Sequence, residues 1–236
     1  MAKTDHYLIT CEHGGNRIPP RYRPLFQGHE ALLQTHCGFD AGALAMARDL
    51  AHALAAPLFA STTSRLLIDL NRSNGHPKLY SETTRAASAA VRHEILQRYY
   101  LPYRNQAEAH IAAAIADGGR LIHISSHSFT PELDGEVRDA DIGLLYDPAR
   151  SGEVDLCRRW QTSLNTQAPS LTVRRNYPYT GKSDGFTAYL RRRFPADTYV
   201  GIELEINQKH VLKGGRQWRA VRGVLADALR RALADG

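Results

Sequence analysis

Four residues in this sequence have the chemistry of a hydrolytic metal centre: His13, Asp40, His127 and Glu205. Such a centre needs about three His or carboxylate ligands, an open position, and a carboxylate that carries a proton from water to the leaving amine. No HExxH or HxxE spacing joins them, so spacing alone does not establish a metal. An imidazole serves as readily as a hydrogen-bonding group, and Asp40 at the start of a helical stretch reads by default as an N-cap.

Glu203-Leu204-Glu205 puts two carboxylates on one face of a strand, because side chains alternate with period two. The preceding Tyr199-Val200-Gly201-Ile202 reads as buried on both faces. Two like charges there are costly unless a cation compensates or a proton is shared. Asn71-Arg72 follows an apolar run, and a guanidinium beside an amide is shaped to grip a substrate carboxylate. The same pair could equally cap a helix or lie on the surface.

These residues need elements to position them. Apolar, β-rich runs predict strands at residues 7–11, 65–71, 121–126, 142–146, 170–173 and 199–206. Helical spacing covers residues 40–55, 86–116, 154–164, 184–192 and 217–233, and Leu101-Pro102 should kink or break the second of these. Strands alternating with helices imply an α/β sandwich with a largely parallel sheet and helices on both faces. Such sheets bind ligands beyond the carboxyl ends of their strands, where His13, Asn71-Arg72, His127 and Glu203 or Glu205 are expected.

At 236 residues the chain fits one domain spanning 1–236, with no tandem repeat and no linker. The amino-terminal residues contain neither a signal-peptide core nor a membrane span, so a cytoplasmic location is expected. Cys11, Cys37 and Cys157 are odd in number and far apart, which fits reduced thiols and excludes a four-Cys zinc site. The net charge of +6 is dispersed in pieces such as Arg191-Arg192-Arg193, which read as solvated helix ends rather than a nucleic-acid surface. The oligomeric state is not legible.

Four blocks together are specific. Cys11-Glu12-His13-Gly14-Gly15-Asn16-Arg17-Ile18-Pro19, Phe39-Asp40-Ala41-Gly42-Ala43, Ser64 to Ser73, and His127-Ser128-Phe129-Thr130-Pro131 resemble, in this order, the N-formylglutamate amidohydrolase family. The resemblance runs from about residue 8 to 210 and takes in Asp141-Ile142-Gly143-Leu144-Leu145 and Asn176-Tyr177-Pro178-Tyr179. That family looks like a relative of the zinc carboxypeptidases and of the succinylglutamate and aspartate deacylases. The resemblance therefore implies a three-layer, zinc-carboxypeptidase-like sandwich, one Zn2+ per chain, and a small acidic N-acyl amino acid as substrate.

By position, the resemblance assigns His13 and His127 as metal ligands. The related deacylases take a Glu three residues after the first His, but that position here is Asn16, a poor zinc ligand, and Asp40 becomes the candidate third ligand. Glu205 matches the strand-borne general base, with Glu203 the competing assignment. Asn71 and Arg72 match the pair that holds an α-carboxylate, while Arg65 and Arg138 remain to bind a second carboxylate or order the site. The family often reads Glu-Ile-Arg-Asn-Asp where this chain has Glu205-Ile206-Asn207-Gln208-Lys209, which leaves the substrate open. The competing functions are a carboxypeptidase or deacylase on another N-acyl amino acid or short peptide, and a non-catalytic binder of acidic metabolites or nucleic acid.

Overall fold

The computed structural model describes residues 4–235. The chain runs through β1 (Asp5–Cys11), a 3-10 turn at Pro20–Phe26, α1 (Glu30–Leu33), α2 (Ala43–Ala53) and β2 (Leu58–Ala60). Next come α3 (Glu82–Arg85), α4 (Ala89–Ile95), a π-helical turn at Leu96–Tyr100, α5 (Leu101–Ala116) and β3 (Arg120–Phe129). A small hairpin of β4 (Glu132–Leu133) and β5 (Glu136–Val137) precedes β6 (Ile142–Leu145), α6 (Ser151–Gln167), β7 (Val173–Arg175) and α7 (Phe186–Arg191). β8 (Tyr199–Asn207), α8 (Lys209–Lys213) and α9 (Gly215–Ala234) close the fold.

Six strands form one mixed sheet in the order β2-β1-β3-β8-β6-β7. The first four are mutually parallel, and β6 and β7 run against them. One face is largely apolar: Ile122, Ile124, Ile202, Leu204 and Ile206 pack with Met46 and Leu50 of α2, Trp160 of α6 and Leu225 of α9, while Ser126 and Ser128 on the same face donate to the carbonyls of Ala43 and Ala41. The other face is apolar at the strand starts, where Leu8, Leu121 and Tyr199 meet Ile111 of α5 and Phe186 and Leu190 of α7, and again at Phe129 and Leu145. Helices thus cover both faces. Further along, period-two alternation sets His123, Ser125 and His127 of β3 beside Gly201, Glu203 and Glu205 of β8 on that second face.

Three expectations are corrected. Residues 65–71 form no strand: Leu67, Ile68 and Leu70 are buried in a separate cluster with Tyr22, Phe26 and Ile95. Turns and side chains satisfy the backbone there, as in Asp69 N–H to Leu79 O at 2.8 Å and Arg104 Nη1 to Leu70 O at 3.0 Å, so no ladder is required. Asp40 is not a helix cap, since α2 starts after Gly42 at φ 82° with no side-chain cap. Nor are residues 170–172 a strand, for β7 begins only at Val173; the 86–116 stretch, by contrast, is interrupted where expected, α4 giving way to a π-helical turn before Pro102 in the first turn of α5. No described helix is long and apolar enough to cross a membrane.

Candidate active site

His13 lies in the turn that leaves β1. Gly14 and Gly15 allow that turn to press on the chain after β2, because a Cβ on either would sit 2.9 Å from Ser61 O or 2.8 Å from Thr62 O. The His13 carbonyl accepts from the Asp40 amide at 2.9 Å, which brings the Asp40 side chain alongside. His127 belongs to β3 itself, which is longer than its apolar run implies, and points from the polar face.

The three side chains converge. His13 Nδ1 is 3.3 Å and His127 Nδ1 is 2.8 Å from the same oxygen, Asp40 Oδ2. The other nitrogen of each ring faces a buried carboxylate: His13 Nε2 is 2.7 Å from Asp69 Oδ1, and His127 Nε2 is 3.1 Å from Glu12 Oε2. Glu12 is held in turn by the hydroxyls of Ser125 and Tyr103, at 2.6 and 2.8 Å. Arg65 donates to Asp40 Oδ1 at 3.3 Å and to Asp69 Oδ2 at 2.8 Å.

Burial alone would raise the carboxyls of Asp40, Asp69 and Glu12, but the facing histidines, with Arg65 at both aspartates, hold all three well below the usual range. Burial likewise opposes charge on His127, yet Asp40 and Glu12 push its pKa well above that of a free imidazole. A neutral imidazole has one N–H, and with it on the outer nitrogen each ring donates to Asp69 or Glu12 while its other nitrogen faces Asp40, itself an acceptor only. The two inward Nδ1 atoms and Asp40 Oδ2 then converge as lone pairs, which repel unless extra protons or a cation lie among them. His13, Asp40 and His127 therefore form a group that can hold a metal ion.

Glu205 stands beside His127 in strand register, with Gly143 on its other side. Its Oε2 is buried without a hydrogen-bond partner. Burial first, then the charges of Asp40 and Glu203, push this carboxyl up to about 8 against the pull of His127 and Arg65. Glu203 differs: its Oε1 accepts from Thr187 Oγ1 at 2.5 Å. Gly143 is required here, since a Cβ would fall 1.9 Å from Tyr177 O, and the chain around 177–181 could not close beside Glu205.

A cavity of about 270 Å³ joins these groups. His13, Asp40, His127, Glu203, Glu205, Asn71, Arg72 and Arg65 all line it, together with Ser128, Tyr179 and Asp184, which sequence reasoning did not single out. Arg72 Nη1 donates to Asp184 O at 2.7 Å, and Asn71 Oδ1 accepts from the Phe186 amide at 2.6 Å. Arg138 is not part of the wall; it donates to the Tyr179 hydroxyl at 3.1 Å behind the rim. Glu12 and Asp69 were also missed, although a charge next to His13 and a lone Asp inside an apolar run were visible signals.

A family model described as N-formylglutamate amidohydrolase matches residues 6–212. No curated protein matches the chain. Among solved structures, gene product Atu2144 from Agrobacterium tumefaciens aligns with a TM-score of 0.83 at 30% identity, over 99% of this chain and 92% of its own. N-formylglutamate amidohydrolase from Ralstonia eutropha JMP134 aligns with a TM-score of 0.70 at 20% identity, over 99% and 94% of the two chains, a likeness of fold.

Proposed function

The chain belongs to the N-formylglutamate amidohydrolase family, and from that membership and the cavity's chemistry we propose that it is a metal-dependent hydrolase of small acidic N-acyl amino acids. N-formyl-L-glutamate is the type substrate, and the products are the free amino acid and a carboxylate. One observation carries this function: the unpartnered, buried carboxylate oxygen of Glu205 belongs to the same cavity as the His13, Asp40 and His127 group.

The donor set fits a zinc ion, with two imidazole nitrogens, one carboxylate oxygen and an outer carboxylate behind each ring. His13 and His127 would bind through Nδ1, since Asp69 and Glu12 occupy the other nitrogens. When bound, the metal acts as a Lewis acid toward the attacking water and the scissile carbonyl.

Glu205, whose carboxyl the charge of a bound cation would bring down to the ionised form, takes the proton from the attacking water on Oε2 and returns it to the leaving nitrogen. Glu203 is less suited, because Thr187 already engages it. Arg72 retains donors beyond the one given to Asp184 and orients the substrate carboxylate, with the Asn71 amide nitrogen beside it.

One observation favours a sibling activity on a different N-acyl amino acid. Asn207, which stands where the family often has Arg, donates to the carbonyls of Arg138 and Ala140, both at 2.9 Å, and does not line the cavity. The test is amine release from N-formyl-L-glutamate by protein as purified, after chelation, and after zinc is restored. Release that disappears with chelation and returns with zinc supports the proposal. Release that is indifferent to chelation overturns its metal dependence, and zinc-loaded protein that acts only on other N-acyl amino acids selects the sibling activity.

A further inference from the structure

A second chamber of about 320 Å³ adjoins the catalytic cavity, with Arg65 and Tyr179 lining both. Its remaining wall includes His36, Cys37, Lys78 and Ser81. The two spaces differ in charge. The catalytic cavity carries Asp40, Asp184, Glu203 and Glu205 against Arg65 and Arg72. The chamber carries Arg65 and Lys78 against Asp69 alone. Asp69 is already spoken for, with Oδ1 taken by His13 Nε2 and the Asn71 amide, and Oδ2 by Arg65.

The cations there have capacity to spare. Arg65 uses one hydrogen bond each from Nη1 and Nη2, out of five N–H donors on a guanidinium. Lys78 is exposed, its backbone amide is bonded to His76 Nδ1, and no described carboxylate pairs with its ammonium. A substrate with two carboxylates can place one on Arg72. Its second would face mostly carboxylates elsewhere in that cavity, whereas the chamber beyond Arg65, whose charge Asp40 and Asp69 already engage, offers the unpaired ammonium of Lys78.

We propose that this chamber is the subsite for the acidic side chain of the substrate, with Lys78 the residue that sets the preference for a carboxylate over a neutral group. The assignment rests on the hydrolase function above. It places the scissile amide at the His13, Asp40 and His127 end, and the substrate's distal carboxylate between Arg65 and Lys78.

The test compares kcat/KM for N-formyl-L-glutamate and N-formyl-L-glutamine in the zinc-loaded wild type, Lys78→Met, Lys78→Glu and Lys78→Arg. The glutamate preference is expected to fall about five-fold in Lys78→Met, as suits one partly exposed charge pair. It should fall further in Lys78→Glu and recover in Lys78→Arg, with the change carried by KM. An unchanged preference in Lys78→Glu overturns the subsite while leaving the hydrolase function intact. If neither compound is hydrolysed, calorimetric titration of L-glutamate and L-glutamine into the same proteins decides. Charge-selective binding lost in Lys78→Glu supports the subsite, and equal binding of both overturns it.

Discussion

Glu203 and Glu205 are two positions apart on one strand face, yet their surroundings divide their chemistry. Thr187 engages one oxygen of Glu203, Oε1, while Glu205 Oε2 is buried without a partner. Glu205→Gln should keep its metal and lose roughly 10²–10⁴-fold in turnover, the usual worth of a positioned acid-base group; Glu203→Gln should lose much less, and steady-state kinetics beside metal analysis separates the two. Behind the ligands, Asp69→Asn and Glu12→Gln should each weaken zinc affinity about 10–100-fold, measurable by chelator competition. Glu205 also links stability to pH in the metal-free protein. Its folded carboxyl sits at about 8 against 4.5 for the free group, so the folded state holds that proton more tightly. The resulting stability is full below 4.5 and is lost as pH rises toward 8, and Glu205→Gln should flatten that decline in urea melts at about pH 5 and about pH 8. His13, Asp40 and His127 were legible in the sequence because residue type and motif coincided. Glu12 and Asp69 were not, because their role depends on which ring nitrogen they face.

At the scale of elements, apolar runs were legible but their pairing was not. Residues 121–126 and 199–206 read as strands and are strands, because both faces of each are buried in the sheet. Residues 65–71 have the same apolar look and form turns, because their partners are the 3-10 turn and α4 rather than another strand. A run of buried residues reports burial, and the choice between ladder and turn belongs to distant hydrogen-bond partners. β2 was missed, as its three residues are too few for a pattern. Close packing between β6 and the chain at Tyr177 yields a sharp prediction. Gly143→Ala should destabilise the fold by at least ~1–3 kcal/mol, the usual cost of overpacking, and should lower activity as the wall beside Glu205 shifts; thermal melts and kinetics read both.

Across the whole molecule, one sheet face serves two purposes. Its first half is apolar and packs under α5 and α7, and its second half is polar and floors the cavity. The α/β layering and the largely parallel sheet were legible from alternating strand and helix patterns. The antiparallel placement of β6 and β7 was not, since direction depends on the path of connecting chain rather than on local composition. Membership of the family explains why four separated motifs converge on one cavity. The central claim is that His13, Asp40 and His127 hold the metal while Glu205 moves the proton. It is tested most directly by measuring zinc content and N-acyl amino acid hydrolysis on the same preparations of wild type, His127→Ala and Glu205→Gln. The account predicts zinc and turnover in the wild type, neither in folded His127→Ala, and zinc without turnover in Glu205→Gln. Full turnover in Glu205→Gln, or zinc retained at the wild-type level by His127→Ala, would contradict it.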